Sequence, residues 1–160
     1  MRRMKARIRR SVTLLLGVTS VMLITRAAAG AEPPAAIPIR FTDAQRQATE
    51  FIAYDQATTL TPGQQSIMQQ GLSAVPAPCC AQYSIATCCC PCNLARSVWG
   101  LSKMLITQHH ADAALVKTAA NQWLQFSNPH GYSGDACFTG GCNRPFEQNG
   151  CGGMDGAHVH

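Results

Sequence analysis

The sequence predicts a mainly α-helical fold, a small bundle of about four helices joined by irregular cysteine-rich loops. Three observations carry that reading. Four stretches between residues 42 and 128 repeat apolar side chains at helical spacing. No convincing alternation marks a strand, apart from three or four residues around Tyr83 to Thr87. Six cysteines, Cys79, Cys80, Cys88, Cys89, Cys90 and Cys92, crowd between Pro78 and Asn93, a density that regular secondary structure does not require.

The elements follow in chain order. Thr42-Asp43-Ala44-Gln45 has the form of a capping box, and Ala44, Ala48, Phe51 and Ile52 then mark one face of a helix reaching about Ala57. Thr61 caps a second, short helix with Pro62 at its first position, and the helix runs to about Leu72 before Pro76 and Pro78. Asn93 is a suitable cap for the third, in which Leu94, Val98, Leu101 and Leu105 form a stripe widened by Trp99, Met104 and Ile106. The fourth starts near Ala111 or Asp112, carries Leu115, Val116, Ala119, Ala120, Trp123 and Leu124, and ends at Asn128-Pro129. Both tryptophans continue apolar faces and are expected in the core.

Residues 1–31 read as a cleaved export signal. Six basic residues in the first ten precede a largely apolar run, Ser11 to Thr25, and Ala29 and Ala31 satisfy the small-residue rule for cleavage. Arg9-Arg10 makes a loose twin-arginine pattern, so either general or twin-arginine export is compatible. The run is shorter than the roughly twenty residues of a bilayer span, and no stable membrane span is expected after cleavage. The expected location is the periplasm or the exterior. Residues 32–40 form a Pro/Ala leader, residues 41–151 the cysteine-rich helical domain, and residues 152–160 a flexible Gly/His tail.

The net charge of +5 belongs to the signal. Seven of the thirteen Lys and Arg lie within residues 1–31, leaving six against all eight acids, a net charge of −2. A nucleic-acid partner is therefore excluded, because no basic stripe remains on the domain. Hydrolytic catalysis finds no support either: the acids are scattered, and no G-x-S-x-G, H-E-x-x-H or phosphate-binding glycine loop is present. A binding protein is expected over an enzyme.

Thiol chemistry remains. Cys90 and Cys92 fall at the amino end of the third helix, where unpaired N–H groups and the helix dipole favour a thiolate. Cys89-x-x-Cys92 and Cys88-x-Cys90 have chelating spacings, and Cys137, Cys142 and Cys151 supply thiols from the other half of the chain. Cys88, Cys89, Cys90, Cys92, Cys137, Cys142 and Cys151 are the expected metal ligands, with Cys79, Cys80, Met154, His158 and His160 as additional candidates. Copper or zinc is the expected ion, for sequestration or delivery to an envelope metal-transfer or redox partner. An iron–sulfur cluster is an alternative use of the same thiolates.

Two other readings compete. In an exported protein, long-range disulfides are the default, so a metal-free, disulfide-stapled interaction domain is the principal alternative. Nine cysteines cannot all pair within one chain. Cys89-Cys90-Pro91-Cys92 also has the C-x-P-C form of thiol-disulfide oxidoreductases, with Cys89 attacking and Cys92 resolving, yet the strands of the βαβ scaffold such sites use are not evident. His109-His110 reads as a solvated linker and His130 as a turn residue.

The blocks C-C-C-P-C-N, C-F-T-G-G-C and N-G-C-G-G-M resemble those of exported, cysteine-rich bacterial proteins of undefined function. More distantly, a tight cysteine run, a Cys-Phe pair and a late glycine-flanked cysteine resemble the family named for its P-C-Y-C-G-C motif; this chain reads C-C-C-P-C there and lacks a lipoprotein cysteine. The resemblance covers roughly residues 76–154 and implies an envelope location and thiol-based metal handling.

Overall fold

The computed structural model describes residues 36–88, 90–131 and 140–160. Residues 1–31, where an export signal is expected, and Cys89 and Cys137 lie outside the described residues. Four helices dominate: α1 (Ala44–Ala57), α2 (Pro62–Ser73), α3 (Asn93–Gln108) and α4 (Ala113–Ser127). The expected mainly α-helical bundle is observed, and no described helix is long and apolar enough to cross a membrane.

Helix starts follow local capping chemistry, displaced by a residue in places. The cap of α1 is Asp43, whose carboxylate accepts the Arg46 N–H at 2.9 Å, while Gln47 Oε1 accepts the N–H groups of Thr42 and Asp43 at 2.7 and 3.1 Å. The expected Thr42/Gln45 box is thus replaced by an Asp43/Gln47 arrangement, because a carboxylate is the stronger acceptor and Gln45 donates instead to the Val159 carbonyl at 2.6 Å. Helix α2 has the expected Thr61/Gln64 capping box with Pro62 at its first position. In α4 the cap is Asp112, accepting from Leu115 N–H at 2.8 Å.

Between α2 and α3, β1 (Pro76–Ala77) and β2 (Cys80–Ser84) pair antiparallel, with Pro76 opposite Ser84 and Ala77 opposite Cys80. The strand lies just before the expected position, and Ile85–Thr87 closes into a 3-10 turn. Ile85 N–H donates to Val75 O at 2.9 Å, and Trp99 Nε1 donates to Ile85 O at 2.9 Å. These bonds tie the segment ahead of the cysteine run to the side of α3.

The core joins Ala48, Phe51 and Ile52 of α1, Leu94, Val98, Leu101 and Leu105 of α3, and Val116, Ala119, Ala120 and Trp123 of α4. Trp123 is fully buried, edge-on to Phe41 and Phe51 with ring centroids 5.1 Å away in each case, and its Nε1 donates to Ser97 Oγ at 2.9 Å. Helices α1 and α3 touch at Gly100, where a methyl group would overlap the Phe51 carbonyl. Backbone contact of this kind needs a residue without Cβ.

Residues 140–160 contain two 3-10 turns and no longer element. Backbone bonds stitch them together: Cys151 N–H to Gly141 O and Gly153 N–H to Cys142 O, both 2.9 Å, and His160 N–H to Gly152 O at 3.0 Å. The Gly/His segment 152–160, flexible by composition, is therefore bonded into the domain. Gly152 and Gly153, at φ of 72° and 98°, turn it back, and Val159 is buried.

Candidate functional site

The site is built on the first turn of α3. Cys92, not Asn93, is its N-cap, and Asn93 is the first helical residue. The unpaired N–H groups of this turn are answered from the far end of the chain: Asn93 N–H donates to Gly153 O at 2.9 Å and Leu94 N–H to Cys151 O at 3.0 Å. The Asn93 side chain is fully buried and donates to the carbonyls of Gly152, Asp155 and His158 at 2.8, 2.9 and 3.2 Å. Its side-chain oxygen has no hydrogen-bond partner among the described residues. The asparagine expected as a cap is instead the clamp that brings Cys151 to the helix start.

Four thiols meet there. The Cys151 thiol is in hydrogen-bond contact with the sulfurs of both Cys92 and Cys79, and the Cys88 thiol with that of Cys79. Exposure is 2 % at Cys79, 1 % at Cys92 and 0 % at Cys151, whereas Cys88 is half-buried. The four come from the β1–β2 turn, the segment following Ile85–Thr87, the cap of α3 and the C-terminal segment.

Their protonation differs with position. Donation from the Cys151 thiol holds Cys92 below the ordinary thiol pKa, helped by the N–H dipoles of Ala95 and Leu94, which outweigh burial together. Cys92 forms no close cap hydrogen bond, so this is a field effect of the helix start. Contact with the sulfurs of Cys79 and Cys92, reinforced by burial, pushes Cys151 well above the ordinary range. Contact with Cys79 does the same to Cys88. The arrangement biases Cys92 toward thiolate while Cys88 and Cys151 hold their protons, a soft, polarisable set of sulfurs in a site largely closed to water.

Of the expected ligands, Cys88, Cys92 and Cys151 are brought together, and Cys79, a secondary candidate by sequence, joins them. Cys90 lies beside the group, its carbonyl accepting the Cys92 N–H at 2.8 Å and its own N–H directed at the Cys88 sulfur. Cys142 is buried and its carbonyl accepts from Gly153. Cys80 lies half-buried in β2. Met154, His158 and His160 are exposed, with His158 Nδ1 2.8 Å from Asp155 Oδ2. His109, His110 and His130 are exposed as well.

No group of three or more Cys, His, Asp or Glu among the described residues stands arranged to hold a metal ion. The sulfurs touch in succession as thiols, Cys88 to Cys79 to Cys151 to Cys92. A cleft of about 610 Å³ lies elsewhere, lined by Thr42, Asp43, Gln45, Phe146, Glu147 and His160 among others, and no cysteine lines it. No protein-family model matches the chain, and neither a curated protein nor a solved structure matches it.

Proposed function

We propose that this is an exported thiolate metal-binding protein that takes up a soft ion, copper as Cu(I) before zinc, for sequestration or delivery. The observation that supports it is the contact of four cysteine sulfurs from four separate segments at one helix start, with one thiol biased toward thiolate. Thiolates select soft ions. Cu(I) is satisfied by two or three sulfurs, so it fits a succession of contacting thiols better than Zn²⁺, which asks for a tetrahedral set of four. The contacting pair Cys92 and Cys151 is proposed to take the ion, with Cys79 and Cys88 as the further ligands along the succession.

Metal content by elemental mass spectrometry, with a parallel count of alkylatable thiols, tests this on protein purified without oxygen. The expected result is a stoichiometric metal, with thiols that resist alkylation until a chelator is added. Absence of metal, with a mass two units lower per cysteine pair, supports the second reading, a disulfide-stapled domain. That reading draws on the Cys92–Cys151 contact and on the scarcity of regular structure in residues 140–160.

A further inference from the structure

The four contacting thiols run from the surface inward. Cys88 is half-buried and touches Cys79; Cys79 and Cys151 are buried and touch each other; Cys151 touches Cys92, buried at the cap of α3. Sulfurs in contact are placed for thiol–disulfide exchange, in which one sulfur attacks a disulfide and displaces the sulfur beyond it. A thiol on another molecule can meet Cys88, whereas Cys79, Cys92 and Cys151 are closed to it.

We propose that these cysteines form a relay for thiol–disulfide exchange, with Cys92 and Cys151 as the pair that carries the disulfide, Cys79 as intermediate and Cys88 as the sulfur that meets a thiol-bearing partner. In the oxidised protein Cys79 attacks Cys151, a Cys79–Cys151 bond forms and Cys92 leaves. Cys88 then attacks Cys79 and displaces Cys151. A partner thiol attacks Cys88 and displaces Cys79, and a second partner thiol attacks the partner's sulfur in that mixed disulfide and releases Cys88. The proton of each attacking thiol goes to the sulfur it displaces. The Cys92–Cys151 disulfide is thereby reduced to two thiols while two partner thiols are oxidised to one disulfide, and the same steps in reverse load the pair from a partner's disulfide. The N–H groups of α3 that favour a charged Cys92 sulfur make it a good leaving group, so the disulfide is readily given up. The relay goes beyond metal binding and runs with no metal present.

The test uses metal-free protein kept with chelator, loaded by oxidised glutathione and then unloaded by reduced glutathione. Samples are quenched in acid, and peptide mapping by mass spectrometry locates each bond. In the unaltered protein the first glutathione adduct is expected on Cys88 in both directions, and the loaded form is expected to carry Cys92–Cys151. Cys88→Ser is expected to load and unload about tenfold more slowly. Cys79→Ser is expected to accumulate glutathione on Cys88 during loading, because the sulfur that would carry the bond inward is missing. Loss of a merely structural side chain would not produce that adduct.

A first adduct on any other cysteine overturns the relay, as do failure to load and unchanged rates in both variants. A Cys92–Cys151 bond that forms and then resists glutathione overturns it too, and makes that bond a fixed staple. If thermal unfolding shows either variant to be unfolded, the position of the first adduct in the unaltered protein decides. Because no metal is present, failure here leaves metal binding standing, and absence of metal from the purified protein leaves the relay standing.

Discussion

Asn93 donates its side-chain amide to the carbonyl oxygen of Gly152 at 2.8 Å, joining the first residue of α3 to the segment that follows Cys151. The same amide reaches Asp155 O and His158 O. Asn93→Ala removes the two amide N–H groups shared among these three carbonyls and leaves a small void. Gly152 O and Asp155 O keep the backbone N–H groups of His160 and His158, so only the His158 carbonyl loses its donor, and the change is expected to cost about 1–3 kcal/mol. Urea denaturation measures the loss, and faster amide exchange at Gly153 and His160 locates it. Unchanged stability with unchanged exchange contradicts the clamp.

Gly100 makes the opposite prediction from helix propensity. Alanine in place of a mid-helix glycine ordinarily stabilises by roughly 0.5–1 kcal/mol. Here its methyl overlaps the Phe51 carbonyl, and backbone cannot yield as a flexible side chain does. Gly100→Ala is expected to destabilise by about 2 kcal/mol or more through forced separation of α1 and α3. A thermal midpoint at or above that of the unaltered protein speaks against this packing.

Local signals account for how much of this was legible. The caps and apolar periodicity of residues 42–128 placed all four helices within a residue or two, because each start is decided by its own first turn. Thr61-Pro62-Gly63-Gln64 is the clearest case. The thiol site was legible in part: crowding around α3 pointed to Cys88 and Cys92, and the glycine-flanked cysteine to Cys151. Two features were not. Cys79 gained its weight from the turn between β1 and β2, strands too short to leave a periodic signature. The C-terminal segment reads as flexible because its order comes from Asn93, some sixty residues away, and no local pattern encodes a bond of that separation.

Asp155 offers a test of that order by pH. Its carboxylate accepts the Ala157 N–H at 3.0 Å and pairs with the His158 ring, and these two contacts hold its pKa below the ordinary value of 3.8. Stability from a lowered carboxyl is present above the unfolded value and lost as pH falls through the folded one. Acidification below the ordinary carboxylate range is therefore expected to loosen residues 155–158 first. The chemical shift of the Ala157 amide reports it, and Asp155→Asn should abolish that titration.

The thiols set a second pH dependence, in the reduced, metal-free protein. The stabilisation from Cys92, whose pKa is lowered, is present above the ordinary thiol value of 9.0 and lost as pH falls through its folded value. Cys88 and Cys151 act in reverse: their raised values give stability that is full below 9.0 and lost as pH rises beyond it. Stability is thus expected to climb toward the ordinary thiol value and decline above it. The decline is bounded by about 1.4 kcal/mol per pH unit for each group, and Cys88, being half-exposed, contributes the smaller share because solvent screens it. Urea midpoints in the presence of reductant, taken from about pH 6 to about pH 10.5, measure the profile. Other groups titrate at the alkaline end, so the deciding comparison is Cys151→Ser, which removes the protonated donor at the centre of the group. It should flatten the alkaline fall, and it should return the Cys92 thiol toward its ordinary value by taking away its strongest partner. An unaltered alkaline limb in that variant means the Cys151 thiol does not hold its proton against Cys79 and Cys92.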